Sequence, residues 1–144
     1  MKKKNLLTYS IMLAFAIFTA CSSDEIDTEA PVILLHSPID HQEFHPGEQI
    51  YFHADFSDNV GLSQFKIDIH FGEGHDHKSA TSGENEWSYE YIGELEGQDQ
   101  KVEMYIDIPL DALHGEYDLL VYCTDKAGNE SFVFIEIDIE EDHD

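Results

Sequence analysis

The chain contains no arginine, and its seven lysines stand against 31 aspartates and glutamates. Only two cysteines, four prolines and three methionines occur in 144 residues. Each shortage excludes something. A formal net charge of −24 repels phosphate backbones and concentrates cations, so nucleic acid is excluded as a partner. Two cysteines cannot build a disulfide framework, so an apolar core has to hold the fold. Cys123 falls in the alternation Leu119-x-Val121-x-Cys123, where it reads as a buried thiol acting as a small apolar residue. The one long apolar run, Ile11 to Phe18, is well short of the roughly 20 residues a membrane-spanning helix needs. No strand–nucleophile–helix elbow, HExxH pair or phosphate-cradling glycine loop is present, so an enzyme is not expected.

What is there begins with an address. Lys2, Lys3 and Lys4 precede that apolar run, and the small residues Thr19 and Ala20 follow it, which makes residues 1–20 a signal peptide. Cys21, placed directly after them, resembles the cysteine of a bacterial lipobox, with Phe18 where leucine is usual. The resemblance implies cleavage before Cys21 and lipid attachment to it, hence a membrane anchor. Ser22-Ser23-Asp24-Glu25 is similar to the acidic export signal of Bacteroidota lipoproteins, which implies an outer-membrane, cell-surface location. Residues 21–30 then read as an acidic tether, 31–140 as one domain and 141–144 as an acidic tail. Without the leader, four lysines remain against 31 acidic residues, a net charge of −27.

From Pro31 onward the period is two. Ile50, Phe52, Ala54 and Phe56 alternate with polar residues, as do Phe65, Ile67, Ile69 and Phe71. Further runs cover 87–92, 102–108, 116–124 and 132–140, with 32–36 before them. Turn chemistry separates them at Pro46-Gly47, Asp58-Asn59-Val60-Gly61 and Asp125-Lys126-Ala127-Gly128-Asn129. The pattern predicts an all-β chain: an antiparallel β-sandwich of about seven strands. The stretches Phe44 to Glu48, Phe56 to Leu62 and Asp125 to Asn129 resemble bacterial immunoglobulin-like or cadherin-like modules. Together with the lipobox, and with Ile69-His70-Phe71-Gly72 followed by Gly74-His75-Asp76-His77, the chain resembles a Bacteroidota surface lipoprotein family of unknown function, domain of unknown function 4625. That resemblance implies the fold and the location and carries no activity.

The nine histidines are the chemistry. In a sandwich of this topology the chain gathers most of them at the pole away from the tether. His70, His75, His77 and His114, with Asp118 beside His70 if their strands are neighbours, form the expected metal site. Neutral imidazole and carboxylate suit zinc, with nickel or copper(II) as competitors, and soft ligands are scarce. His36, His41, His45 and His53 are weaker individually, and His143 weaker still. Asp58, Asn59, Asp125 and Asn129 can ligate calcium, but their simpler role is to cap turns. The expectation is therefore a surface-anchored protein that binds a transition metal and passes it to an outer-membrane transporter. The alternative is a metal-free adhesion or accessory module, working through the outward residues Leu120, Tyr122, Phe132 and Phe134.

Overall fold

The computed structural model describes residues 26–72 and 85–140. Eight strands follow one another: β1 (Val32–Ser37), β2 (Gln42–Phe44), β3 (Gln49–Ser57), β4 (Leu62–Phe71), β5 (Tyr89–Glu94), β6 (Asp99–Asp107), β7 (Gly115–Asp125) and β8 (Glu130–Ile139). They form two sheets, ordered β1-β3-β6 and β2-β8-β7-β4-β5. The expected antiparallel sandwich is observed, with one strand more than foreseen.

That strand, β2, pairs in parallel with β8, Gln42 opposite Ile137 and Phe44 opposite Ile139. Three residues are too few for a readable alternation. The pairing arises because the chain crosses from the first sheet to the second after β1, and β8 otherwise presents an unpaired edge. Phe44 then closes one end of the core at 6% exposure. Burying such a ring contributes roughly 1.5–3 kcal/mol.

Period-two alternation decides what lies inside. Ile50, Phe52, Ala54 and Phe56 of β3 face Ile67 and Ile69 of β4 and Tyr117, Leu119, Val121 and Cys123 of β7 across one buried cluster. Cys123 is unpaired and fully buried. Burial, and then the nearby carboxylates of Asp58 and Asp125, push its thiol up to about 12. It stays protonated and inert at neutral pH.

One polar group is built into this core. Tyr117 is fully buried at the start of β7, and its hydroxyl donates to the Leu113 carbonyl at 2.8 Å. Its ring meets Phe71 edge-on at 5.2 Å and Trp87 at 5.8 Å. This is the tyrosine-corner geometry of immunoglobulin-like sandwiches. It ties the β6–β7 connection to the end of β4 and the approach to β5.

The N-terminal segment sits at the other end. Asn59 donates to the Asp27 carboxylate at 3.2 Å, and Asn129 donates to the Asp27 carbonyl at 3.3 Å. The chain therefore enters the domain beside the β3–β4 and β7–β8 turns, as the topology predicted.

Two outcomes check this account. Tyr117→Phe strands a buried carbonyl, so urea unfolding should show a loss of about 1–3 kcal/mol with the fold retained. Cys123 should resist a thiol reagent at pH 8 in the folded protein and react at once in denaturant.

Candidate metal centre

β3 is the middle strand of the three-stranded sheet, with β1 on one side and β6 on the other. Its inward residues are apolar, so Tyr51, His53 and Asp55 stand on the outer face. Residues two apart on a strand share a face, which brings the His53 and Asp55 side chains together. β1 supplies the third group. Its register against β3 shifts between Leu35 and Ser37, leaving His36 as the extra residue of a bulge. His36 stays on the exposed face it shares with Val32 and Leu34. Here the His36 Nε2 lies 2.7 Å from an Asp55 Oδ2, and its ring centroid lies 4.5 Å from that of His53.

One ligand atom from each of His36, His53 and Asp55 lies within 4.8 Å of the other two. The His53 Nε2 is buried and has no hydrogen-bond partner among the described residues. A buried imidazole nitrogen beside a second imidazole and a carboxylate is a ligand set for zinc. Donors about 2.0–2.2 Å from a tetrahedral ion stand roughly 3.3 Å apart, so the 2.7 Å contact needs to open by a few tenths of an ångström. Side-chain torsions suffice for that.

The far side of β3 carries negative charge that is already engaged. Glu103 is the register partner of His53. Tyr51 donates to it at 2.6 Å and Lys101 pairs with it at 3.0 Å. The Tyr51 hydrogen bond, then that of Lys101, hold its carboxyl below the ordinary range. Glu103 thus contributes a fixed charge next to the His53 imidazole while its own oxygens are engaged.

A second grouping lies on the outer face of the five-stranded sheet. Asp118 stands opposite Glu136, and Glu116 opposite Asp138. Like charges directly across a ladder repel. A histidine flanks the band on each side. His41 approaches Glu136 at 3.4 Å and Asp138 at 3.6 Å, and His70 approaches Asp118 at 3.7 Å. His41 holds a left-handed backbone, φ 55°, which costs a non-glycine residue about 1–2 kcal/mol. Its N–H donates to the Glu136 carbonyl at 2.8 Å, which fixes it there.

The residues expected to form the site fare unevenly. His70 and Asp118 are register partners, as anticipated for neighbouring strands, and Asp68 joins them, 3.3 Å from His70. His114 lies in the β6–β7 connection, one residue before β7. His75 and His77 lie outside the described residues, as does Cys21. Among the described residues, none of His70, His114 and Asp118 belongs to a group of three ligand atoms within reach of one ion. His36 and His53, ranked lower from sequence, do belong to one. The legible half of that signal was His53-Ala54-Asp55 on one strand. The other half, His36, required the register of β1 against β3.

The profile of the family described as a domain of unknown function (DUF4625) matches residues 19–140, and the chain belongs to that family. No curated protein matches it in sequence. Solved structures superpose on it at low identity. A catalytically inactive OgpA from Akkermansia muciniphila, crystallised with an O-glycopeptide substrate, superposes with a TM-score of 0.51 at 12% identity, over 83% of this chain and 32% of that one. A DUF4466 family protein from Parabacteroides merdae gives a TM-score of 0.49 at 11% identity, over 75% of this chain and 44% of that one. The sporulation control protein Spo0M from Bacillus subtilis gives 0.46 at 11%, over 78% and 49%. The chain spans half or less of each, and the OgpA match, at 12% identity, is a likeness of fold alone.

The acidic band gives a pH test. Burial pushes the Asp68 carboxyl up, but bonds from Lys66 at 2.9 Å and from His70 outweigh it, leaving a net depression. A depressed carboxyl stabilises the fold above its unfolded value, roughly 3.9, and this is lost as pH falls through the lower folded value. Asp68→Asn should therefore cost about 0.5–1 kcal/mol at pH 7, the partly exposed pair being screened, and markedly less at pH 2. Urea unfolding at the two pH values checks it.

Proposed function

We propose that this member of the DUF4625 family is a lipid-anchored protein of the outer membrane that captures a divalent transition metal, zinc above nickel or copper(II), on its outer face. One observation carries the reading: a ring nitrogen of His53, a ring nitrogen of His36 and a carboxylate oxygen of Asp55 lie within 4.8 Å of one another, and the His53 Nε2 is buried with no hydrogen-bond partner among the described residues. Two imidazoles and one carboxylate are the borderline donor set that zinc accepts, and three donors leave a fourth position open. The net charge of −24 favours cation encounter at the surface. The role is binding rather than catalysis. With an anchor at Cys21, the ion is held where an outer-membrane transporter or another surface protein can take it.

The sequence-predicted set of His70, His75, His77, His114 and Asp118 is the competing location for the same function. Calorimetric zinc titration of the untagged full chain separates the two. His36→Ala and His53→Ala should each weaken binding at least about tenfold, because a two-donor remnant holds zinc poorly. His75→Ala with His77→Ala should leave that affinity unchanged. The reverse result moves the site to the loop, and equal affinity in all variants ends the proposal. Protons compete with zinc for imidazole, so affinity should fall steeply between about pH 7.5 and pH 5.

A metal-free accessory module is the second reading, and one surface feature favours it. Phe132 and Phe134 of β8 are 62% and 47% exposed, with Tyr122 packed on Phe132 at 5.9 Å. Under this reading Phe134→Asp disrupts a surface complex recovered by crosslinking, and the histidine variants do not.

A further inference from the structure

At the pole where the chain enters the domain, three carboxylates converge. One oxygen from each of Asp27, Asp58 and Asp125 lies within 4.8 Å of the other two. Asp58 and Asp125 are the turn residues expected from sequence, and both do cap turns. Asp58 Oδ2 accepts from the Val60 N–H at 2.9 Å and from that of Gly61, and Asp125 Oδ1 accepts from the Asn129 N–H at 2.8 Å. Turn capping does not account for the rest. Asp58 keeps a second oxygen, Oδ1, that is buried and accepts no hydrogen bond among the described residues. Asp27 does the same with Oδ2, while its Oδ1 takes the Glu29 N–H and the Asn59 amide. Asp125 itself is only 2% exposed.

Two orphaned, buried anionic oxygens beside a third buried carboxylate are costly unless a cation sits between them. No lysine does. The lysine ion pairs among the described residues involve Lys66 and Lys101, on other faces. The donors are all carboxylate oxygen, which selects a hard cation over zinc. Oxygens bound at 2.3–2.6 Å to one calcium ion lie at most about 5 Å apart, so a single ion reaches all three groups. Magnesium holds its ligands closer and demands a near-octahedral shell, which three carboxylates on separate segments do not supply.

We propose that Asp27, Asp58 and Asp125 form a calcium site that fastens the segment leading into β1 onto the β3–β4 and β7–β8 turns. Asp27 lies outside the sandwich and its two partners inside it, so the ion sets how firmly the domain is held on the chain that precedes it. The site shares no residue with the His36, His53 and Asp55 group and does not depend on that reading.

The experiment uses the untagged full chain in detergent, stripped with a chelator and titrated with calcium chloride by calorimetry and thermal melting. One calcium per chain should bind and raise Tm, and it should protect the peptide bonds just before Pro31 from protease. Asp27→Asn and Asp58→Asn should each weaken calcium at least about tenfold. Without calcium, Asp27→Asn should melt higher than the parent, since it removes one of three repelling charges. That rise, together with the lost calcium response, distinguishes a cation site from a structural carboxylate. Zinc affinity should be unchanged in both variants. No calcium heat at millimolar concentration overturns the proposal. So does an equal Tm rise from magnesium or from sodium chloride at matched ionic strength, or unaltered calcium affinity in Asp27→Asn, because each reduces the effect to general screening.

Discussion

The hydrogen bond from Tyr117 to the Leu113 carbonyl is the contact on which the upper half of the sandwich depends. A fully buried hydroxyl must find an acceptor, and this one finds it four residues back along its own chain. The consequence is geometric. The β6–β7 connection is held down, β7 begins in a defined register, and β4 lines up beside it with His70 opposite Asp118. The ring under the hydroxyl meets Phe71 and Trp87, so the end of β4 and the approach to β5 are fixed by the same residue.

Around that frame the surface is a problem of uncompensated charge. Seven lysines are too few for 31 acidic residues, and arginine, whose guanidinium grips a carboxylate through two hydrogen bonds at once, is absent. Like charges are left facing each other across the β7–β8 ladder. Histidine is the cation the chain does use, and His41 and His70 border that band. Imidazole carries charge only when protonated, so its compensation weakens as pH rises. At neutral pH a bound metal ion is the stronger counter-charge. The two proposed sites differ in their donors, with mixed nitrogen and oxygen on the β1–β3 face and oxygen alone at the entry pole.

The two proposed sites also differ in what they ask of the fold. The histidine group rests on one strand pair, inside the rigid sheet. The carboxylate group joins two turns to a segment outside it. Occupation of the first leaves the domain as it is, whereas occupation of the second changes how the domain is carried. The two proposed sites are compatible in one small protein because they share no residue and their donor sets differ, imidazole with carboxylate in one and carboxylate alone in the other.

Composition and period two determined the all-β class, the inner residues of β3, β4 and β7, the buried Cys123 and the positions of the Asp58 and Asp125 turns. These are local properties: alternate side chains of a strand face opposite sides, whatever the strand pairs with. Even the neighbour relation of His70 and Asp118 followed once the strands of the sandwich were put in order. Tertiary structure alone decided the rest. The three residues of β2 carry no pattern of their own and exist as a strand only because β8 has an edge to offer. His36 meets His53 and Asp55 only because β1 pairs with β3 in the register that sets Leu34 opposite Asp55. Asp27 meets Asp58 and Asp125 across a sequence gap that no periodicity spans. Ligand sets drawn from separate strands depend on register and bulges, and those are set by the packing of the whole core.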